Sequence, residues 1–410
     1  MKVGIYLRGL SPETGGGYTF ERDVLQALVE ISMESSHEFV LFSPKKSESD
    51  SLLPPDIRNL LTHVIVQPRP KPWLSRAIGK VGRHLGWKKG VESGTSHSLS
   101  DAIVRENIEF LWFLTPIHHP VDIPYIATIW DIQHRVQPWF PEVGTWTEWI
   151  GREKYISQYV QRAAYIIAPN QVARDEIAFY YQIPPERFIL LPHPVPRITL
   201  QEPKQMAEIL EKYQLTRQGY LLYPAQFWPH KNHVNLLRAL KVLKEEYKIS
   251  FPLVLTGSDK GNLRHVLACA KELGVDERVR FLGFVSREDL IALYQGAFAL
   301  TFLSLFGPEN LPPLEAFVCG CPVIVARVAG AQEQFSDAVL MVDGTRPDEI
   351  AGAIKSLCNN PELRDRLIGK GHVRAAAFTA KNYVRGVFAA LDRFTAIRQN
   401  WGIEYVSKKG

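Results

Sequence analysis

Two stretches of this chain carry residue types and spacings suited to a negatively charged ligand. The first is Phe306-Gly307-Pro308-Glu309-Asn310-Leu311-Pro312-Pro313-Leu314-Glu315-Ala316-Phe317. A glycine- and proline-rich loop leads there into a predicted helix beginning near Pro312 or Pro313, because proline fits the first helical turn. Backbone N–H groups left free at such a start, around Asn310 and Leu311, favour anions, and a diphosphate suits them. Glu315 sits one turn in, where a carboxylate can accept two hydroxyl hydrogen bonds, as a ribose offers. A capped surface helix with Glu315 stabilising its dipole uses the same residues. The second stretch is Tyr223-Pro224-Ala225-Gln226-Phe227-Trp228-Pro229-His230-Lys231-Asn232-His233. It follows a predicted strand and opens a helix, where a lysine can meet phosphate oxygens already held by backbone amides. Lys231 as a solvated surface charge is the alternative, and the crowding of Trp228, Pro229, His230 and His233 around it argues against that.

The elements that must position these residues alternate between strands and helices. Val3 to Leu7 is a short apolar run, followed by Gly15-Gly16-Gly17 and then by apolar residues at helical spacing, Phe20, Val24, Leu25 and Leu28. Further strands are predicted at 39–42, 64–66, 110–114, 125–129 and 165–168, with a helix from about Trp146 to Ala163. The segment Leu190 to Pro196 holds three prolines in five positions, which breaks any regular element. A second alternating run then starts, with strands at 220–223, 253–255, 279–282, 299–302, 323–325 and 339–342, a helix from His233 to Tyr247, and a loop at Gly257. Alternation of this kind implies parallel sheets covered by helices on both faces. The expected class is α/β with two Rossmann-like doubly wound domains. Residues 1–196 form the first, 197–377 the second, and a C-terminal helix and tail at 378–410 pack back on the first. A chain of 410 residues fits two such cores. Ligands in this architecture bind at the carboxyl ends of strands, here expected to face a central cleft.

Together the two stretches resemble the family 4 retaining glycosyltransferases, which have the GT-B fold and belong to the glycosyl transferases group 1. The family carries a "K-N" element ahead of a helix and a Glu-x7-Glu element ending in "L-P-P-L-E-A". The matching residues are Pro229-His230-Lys231-Asn232 and Leu311-Pro312-Pro313-Leu314-Glu315-Ala316, supported by Val279-Arg280-Phe281-Leu282-Gly283 and Gly320-Cys321-Pro322-Val323-Ile324. The resemblance runs through most of the chain and is most specific in the second half. It implies that Lys231 neutralises the donor diphosphate, that Glu315 holds the ribose, and that Gln332-Glu333 lies near the cleft. Two positions depart from the family pattern. Gly307 stands where the first glutamate of the pair belongs, with Glu309 two residues later. Gln226 stands where an arginine usually precedes the lysine by five residues, and loss of that cation weakens the expected phosphate clamp. Glu309 is expected to reach the sugar hydroxyls from its shifted position, or else to cap the helix start. The donor-side set is thus Gln226, Lys231, Gly257, Asn310, Leu311 and Glu315, with Glu309 beside Lys231 as a catalytic candidate.

The first domain should supply the acceptor side. Thr115-Pro116-Ile117-His118-His119-Pro120 and Trp130-Asp131-Ile132-Gln133-His134-Arg135 each follow a predicted strand. The family commonly carries a histidine in the first place and His-Asp in the second, where this chain has Trp130-Asp131. His118 and His134 are the catalytic candidates here, with His119, Asp131, Gly16 and Gly17 on the acceptor side; packed loop histidines are the alternative. Gly15-Gly16-Gly17 reads as an acceptor-side loop, and its spacing is not that of a dinucleotide-binding fingerprint.

Arg69 to Lys89 carries seven Lys or Arg and no acid, with Leu74, Ile78, Val81 and Leu85 at helical spacing between Trp73 and Trp87. That is the pattern of an interfacial helix on an anionic membrane, and equally of a helix packed on its own domain with a solvated basic face. The net charge of +5, from 48 basic and 43 acidic residues, does not mark a nucleic-acid binder. Hydrophobic residues at 46% and charged residues at 22% describe a soluble globular chain, and no apolar run approaches a membrane span. Four cysteines without metal-ligand spacing read as free thiols in a reducing cytoplasm.

No Asp-x-Asp occurs in the sequence, so no metal and no cofactor are expected; a UDP- or GDP-sugar is the substrate and fixed dipoles plus lysine stabilise the leaving group. The expected function is transfer of a hexose from a nucleotide sugar to a glycan or lipid-linked acceptor, in polysaccharide or glycoconjugate synthesis. The expected place is the cytoplasm, on the inner face of the membrane if residues 69–89 bind lipid. A nucleotide-sugar epimerase of the same fold, or a non-catalytic GT-B subunit, are the competing readings.

Overall fold

The computed structural model describes residues 1–9, 16–44, 61–66, 98–117, 119–197 and 206–402. The basic stretch at 69–89, Gly15 and His118 lie outside the described residues.

The strands are β1 (Lys2–Tyr6), β2 (Glu38–Ser43), β3 (Thr62–Ile65), β4 (Phe110–Phe113), β5 (Tyr125–Thr128), β6 (Tyr165–Ala168), β7 (Phe188–Leu190), β8 (Leu221–Pro224), β9 (Leu253–Thr256), β10 (Val279–Phe281), β11 (Ala299–Phe302), β12 (Val323–Ala326) and β13 (Leu340–Val342). They form two sheets, ordered β3-β2-β1-β4-β5-β6-β7 and β10-β9-β8-β11-β12-β13. Every neighbouring pair of the second sheet is parallel, with Leu221 opposite Leu253 and Leu300 opposite both Leu222 and Val323. The apolar runs of β8, β9, β11 and β12 are buried along their whole length, as helices on both faces require.

The chain forms two compact units. One comprises Met1–Thr128, Arg162–Ile166 and Val387–Gly410; the other comprises Ile129–Gln161 and Ile167–Gly386. In the first unit the end of the helix Ala380–Arg398 packs by its aromatic residues. Phe388 stacks on Phe39 at 5.5 Å, and Phe394 meets Phe110 edge-on at 4.8 Å. In the second unit a single apolar core runs from Val195 through the six-stranded sheet to Phe378.

Three sequence expectations need correction. Gly16 and Gly17 are not loop residues; they are the first two residues of the helix Gly16–Ile31. The buried helical face that begins at Thr19 and Phe20 extends the regular hydrogen bonding back through them. A short strand, β7, precedes the proline-rich segment, where the broken 190–196 pattern had hidden the apolar Phe188-Ile189-Leu190. The helix of the Leu-Pro-Pro element starts at Leu311, one residue before Pro312.

Both strand orders reverse direction once, β8 to β11 in the second sheet and β1 to β4 in the first. At such a switch point two neighbouring strands send their following loops to opposite sides and leave a crevice at their carboxyl ends. The segments 225–232 and 303–310 lead out of the two strands at the second sheet's switch point. In the first sheet Glu21 ties the corresponding ends together. Its Oε1 accepts the Arg8 backbone N–H at 2.8 Å and the buried Thr115 hydroxyl at 3.2 Å. No periodic signal in the sequence marked Glu21, because a buried glutamate in an amphipathic helix reads as a break in the apolar face.

Candidate donor-binding site

The segment after β8 folds into a tight turn. Pro229–Lys231 is a short 3₁₀ element, and Asn232 adopts φ 59° at the start of the helix His233–Glu245. The Asn232 side chain donates to the carbonyls of Leu303 at 3.1 Å and Gly344 at 2.7 Å, pinning the turn against the segment after β11. Leu305 N–H closes the same junction on the His230 carbonyl at 2.8 Å. The His230 ring stacks on Phe306, with centroids 4.0 Å apart and planes 13° apart.

This arrangement delivers Lys231 to the switch point. Its Nζ lies 3.4 Å from Ser304 Oγ and 5.1 Å from the Phe302 ring centre, and it makes no ion pair among the described residues. Burial brings its pKa down from the ordinary lysine value to about 8, against the opposing pull of Glu142 and Asp131. Burial also holds His230 down at about 4 and His233 at about 3, so both rings are neutral at physiological pH. The His233 ring lies between Tyr223, at 4.8 Å, and Phe227, at 4.5 Å, with both ring nitrogens unpartnered among the described residues. A neutral imidazole packed in that way is part of the apolar floor under the lysine. Gln226 does not reach toward Lys231: its Oε1 accepts the Trp228 indole N–H at 2.9 Å.

Gly257 follows β9 and donates its N–H to the Gly283 carbonyl at 2.8 Å. Its φ of +136° is one that only glycine adopts comfortably, and a Cβ there would lie 2.3 Å from the Ala225 carbonyl oxygen. Gly257→Ala is therefore expected to destabilise the protein by more than about 1 kcal/mol. Urea unfolding of the pair measures this, and equal midpoints would remove the steric argument.

The segment after β11 is held from below. Asn310 N–H donates to Gln334 Oε1 at 2.9 Å, and the Gln334 amide returns a bond to the Asn310 carbonyl at 3.0 Å. Asn170 Nδ2 donates to the Pro308 carbonyl at 2.5 Å. Gly330, at φ +87°, lets its own backbone approach that carbonyl, which a Cβ would meet at 2.4 Å. The helix Leu311–Val318 offers fewer donors than its position suggests. Pro312 and Pro313 carry no N–H and Asn310 gives its own to Gln334, which leaves Leu311 as the donor of the first turn. An anion here must draw on Lys231 more than on helix amides. Glu315 is half-buried one turn in, with its Oε2 accepting the Tyr294 hydroxyl at 2.7 Å; burial pushes its carboxyl above the usual range.

Glu309 is buried and bound by His193, whose backbone N–H lies 2.9 Å from Oε2 and whose ring Nδ1 meets the same oxygen. Burial raises the Glu309 carboxyl above its ordinary range, with His193 pulling the other way. The structure shows no cap: the Leu311–Val318 helix has no side-chain hydrogen bond at its start. Glu333 accepts the Gln171 backbone N–H at 2.9 Å.

The remaining sequence candidates fall elsewhere. His134 is fully buried, 3.3 Å from Glu153 Oε2, in a network where Arg135 grips the same carboxylate through two bonds. Asp131 accepts from Arg152 at 3.1 Å and from the Gln133 N–H at 2.9 Å. Asp131 also acts on Glu176, whose carboxyl is pushed up to about 7, first by burial and then by Asp131. His119 lies in the other unit, its ring 4.7 Å from Tyr6 and its Nε2 unpartnered among the described residues. Sequence reading missed Ser304, His193, Glu142 and Glu176, because each is joined to its partners by the fold and not by spacing along the chain.

Comparison with known proteins bears on the same region. Residues 205–374 match the family described as glycosyl transferases group 1. This stretch is similar to a group 1 glycosyltransferase domain. The O-antigen chain mannosyltransferase B of Escherichia coli is 31% identical over 236 residues, which cover 56% of this chain and 61% of that protein. The O-antigen chain mannosyltransferase RfbU of Salmonella typhimurium is 24% identical over 50% of this chain and 54% of its own length. The chain thus spans about half to three-fifths of these relatives. Among solved structures, Anabaena HepE in complex with UDP and glucose superposes with a TM-score of 0.67 at 14% identity, over 96% of this chain and all of that one. WaaG, a glycosyltransferase involved in lipopolysaccharide biosynthesis, gives 0.64 at 16% identity over 94% of this chain and 98% of its own. The fold is GT-B: two parallel sheets with interleaved helices, the residues that match the group 1 family lying around the second. Among the described residues no helix is long and apolar enough to cross a membrane.

Proposed function

We propose that this protein is a glycosyltransferase that moves a hexose, mannose before others, from a nucleoside-diphosphate sugar to a glycan or lipid-linked acceptor in polysaccharide assembly. The observation that carries this reading is Lys231: a half-buried ammonium with a desolvated head, in no direct ion pair among the described residues and acted on by Glu142 and Asp131 only through space, placed at the carboxyl ends of β8 and β11. A buried charge left unpaired is costly, and a ligand of opposite charge relieves the cost. The diphosphate of a sugar nucleotide supplies that charge, and the mannosyltransferase relatives support the choice of sugar.

In this reading residues 197–377 hold the donor and 1–196 the acceptor. Lys231 meets the diphosphate, most strongly as negative charge grows on the leaving group. Glu315 takes the ribose hydroxyls, which would displace or share its Tyr294 bond. Bond cleavage at the anomeric carbon passes through an oxocarbenium-like state. The acceptor attacks from the leaving-group face with retention, and the departing phosphate takes the acceptor proton. Lysine and fixed dipoles do the work of a divalent ion.

Incubation of the protein with GDP-mannose, UDP-glucose and a lipid-linked or oligosaccharide acceptor tests this. Transfer from one donor, undiminished by EDTA, is the expected result. Loss of transfer on chelation, restored by Mg²⁺ or Mn²⁺, would refute metal independence. Epimerisation of a donor without acceptor would replace transfer by isomerisation.

A further inference from the structure

Glu142 lies outside every sequence motif, yet it holds the turn that delivers Lys231. It sits in the short helical segment Pro141–Gly144. Its Oε1 accepts the His230 backbone N–H at 3.0 Å and also meets the ring Nδ1 of the same residue. Phe140, next to it, packs edge-on against Phe306 at 5.1 Å, the ring that His230 stacks upon. The segment is closely packed on the turn before it: a Cβ on Gly144 would lie 1.7 Å from the Pro138 carbonyl oxygen. Glu142 Oε2 is buried and has no hydrogen-bond partner among the described residues. A desolvated carboxylate oxygen in that state is costly unless a cation lies near it. Lys231 follows His230 directly, and it is an ammonium without an ion pair among the described residues.

We propose that Glu142 is the positioning residue of Lys231: one oxygen anchors the lysine's turn through His230, and the carboxylate charge is the standing partner of the ammonium until a diphosphate arrives. This rests on the reading of Lys231 as a diphosphate ligand. The charged groups acting on Lys231 are Glu142 and Asp131, both of which favour its protonated form. His230 and His233 beside it are neutral above about pH 5, and burial raises the Tyr223 hydroxyl beyond the working range. Burial pushes the Glu142 carboxyl up, but its bonds from His230 outweigh that and leave it ionised at neutral pH. Loss of one negative charge near the lysine should therefore let it deprotonate at lower pH.

The test is calorimetric titration of the full chain with GDP and with UDP between about pH 6 and 9, with parent and variants compared at each pH so that ionisation of the nucleotide's own terminal phosphate cancels. Affinity of the parent should fall as pH rises through about 8. Glu142→Gln keeps acceptors for both His230 groups and removes the charge. Its fall in affinity should be centred roughly one pH unit lower. Glu142→Asp keeps the charge on a shorter stem, so its midpoint should stay near the parent's while affinity drops severalfold at every pH. A Gln midpoint equal to the parent's, or an Asp midpoint displaced as far as that of Gln, overturns the proposal. Lys231→Met separates the two levels of inference: it should bind weakly and without this pH dependence. If it keeps the parent's affinity and pH profile, the diphosphate reading itself fails.

Discussion

Lys231→Met is expected to lower kcat/KM for sugar transfer by roughly 10²-fold or more while leaving the fold at least as stable as the parent at neutral pH. The first half follows from the loss of a preorganised cation where leaving-group charge develops. The second follows from linkage. The pKa of Lys231 is lowered to about 8 in the folded protein, below its ordinary value of 10.5. Between those values the unfolded chain binds more protons than the folded one, so the parent's stability rises as pH climbs through that window. Below it, the folded state bears the cost of a charged lysine in a desolvated place. Methionine fills a similar volume without the charge and removes that cost. The opposed effects on activity and stability distinguish a functional lysine from a structural one. Activity of the parent should also decline as pH rises through about 8, since the neutral amine no longer attracts the diphosphate. Initial rates across pH and thermal unfolding at pH 7 measure both. Full turnover in Lys231→Met would end the assignment; a large loss of melting temperature would make the lysine structural.

Glu309→Ala is expected to cost about 3 kcal/mol or more of stability, the scale for removing one partner of a buried pair. Glu309 is enclosed, with only 4% of its side chain exposed, and both the backbone and the ring of His193 bond to one of its oxygens. Alanine removes the carboxylate that meets both the backbone N–H and the ring of His193, and opens a void between the loop at 306–310 and the segment around His193. Glu309→Gln keeps an acceptor for the backbone N–H and should recover much of the loss. The sequence had suggested that this carboxylate reaches the donor sugar from a position two residues late. The pair with His193 gives it a second task, and the two are separable. If Glu309 only braces the loop, Glu309→Gln should retain kcat/KM within a fewfold. A fall of about tenfold or more with an unchanged melting temperature supports contact with the sugar. Denaturant unfolding and steady-state kinetics on both variants decide this.

The arrangement of strands was legible because its cause is local. Runs such as Leu221 to Tyr223, Leu253 to Leu255 and Val323 to Val325 are too apolar and too short for anything but buried strands. Amphipathic repeats such as the one after His233 fill the spaces between them. Parallel sheets and two alternating runs follow from that pattern, and so does the placing of Lys231 and the Leu-Pro-Pro-Leu-Glu element just after strands. Glycine was legible as a loop signal at Gly257, where positive φ and a close carbonyl require it, but misleading at Gly16 and Gly17, where the helix simply begins early.

What tertiary structure alone decided was the company each residue keeps. Glu142 is 88 residues from His230, and Glu309 is 116 residues from His193; no periodicity links positions so far apart. The same holds for Ser304 beside Lys231 and for Asn170 on the Pro308 carbonyl. Gln226 shows the limit in the other direction. Its place in the motif suggested a weakened phosphate clamp, but its side chain was free to turn to Trp228, and only packing fixed that choice. Local sequence sets which backbone conformation is cheapest over a few residues. Whether a charged side chain ends desolvated, paired or open to a ligand depends on groups brought to it by the whole sheet, and that is where the chemistry of Lys231 and Glu309 is set.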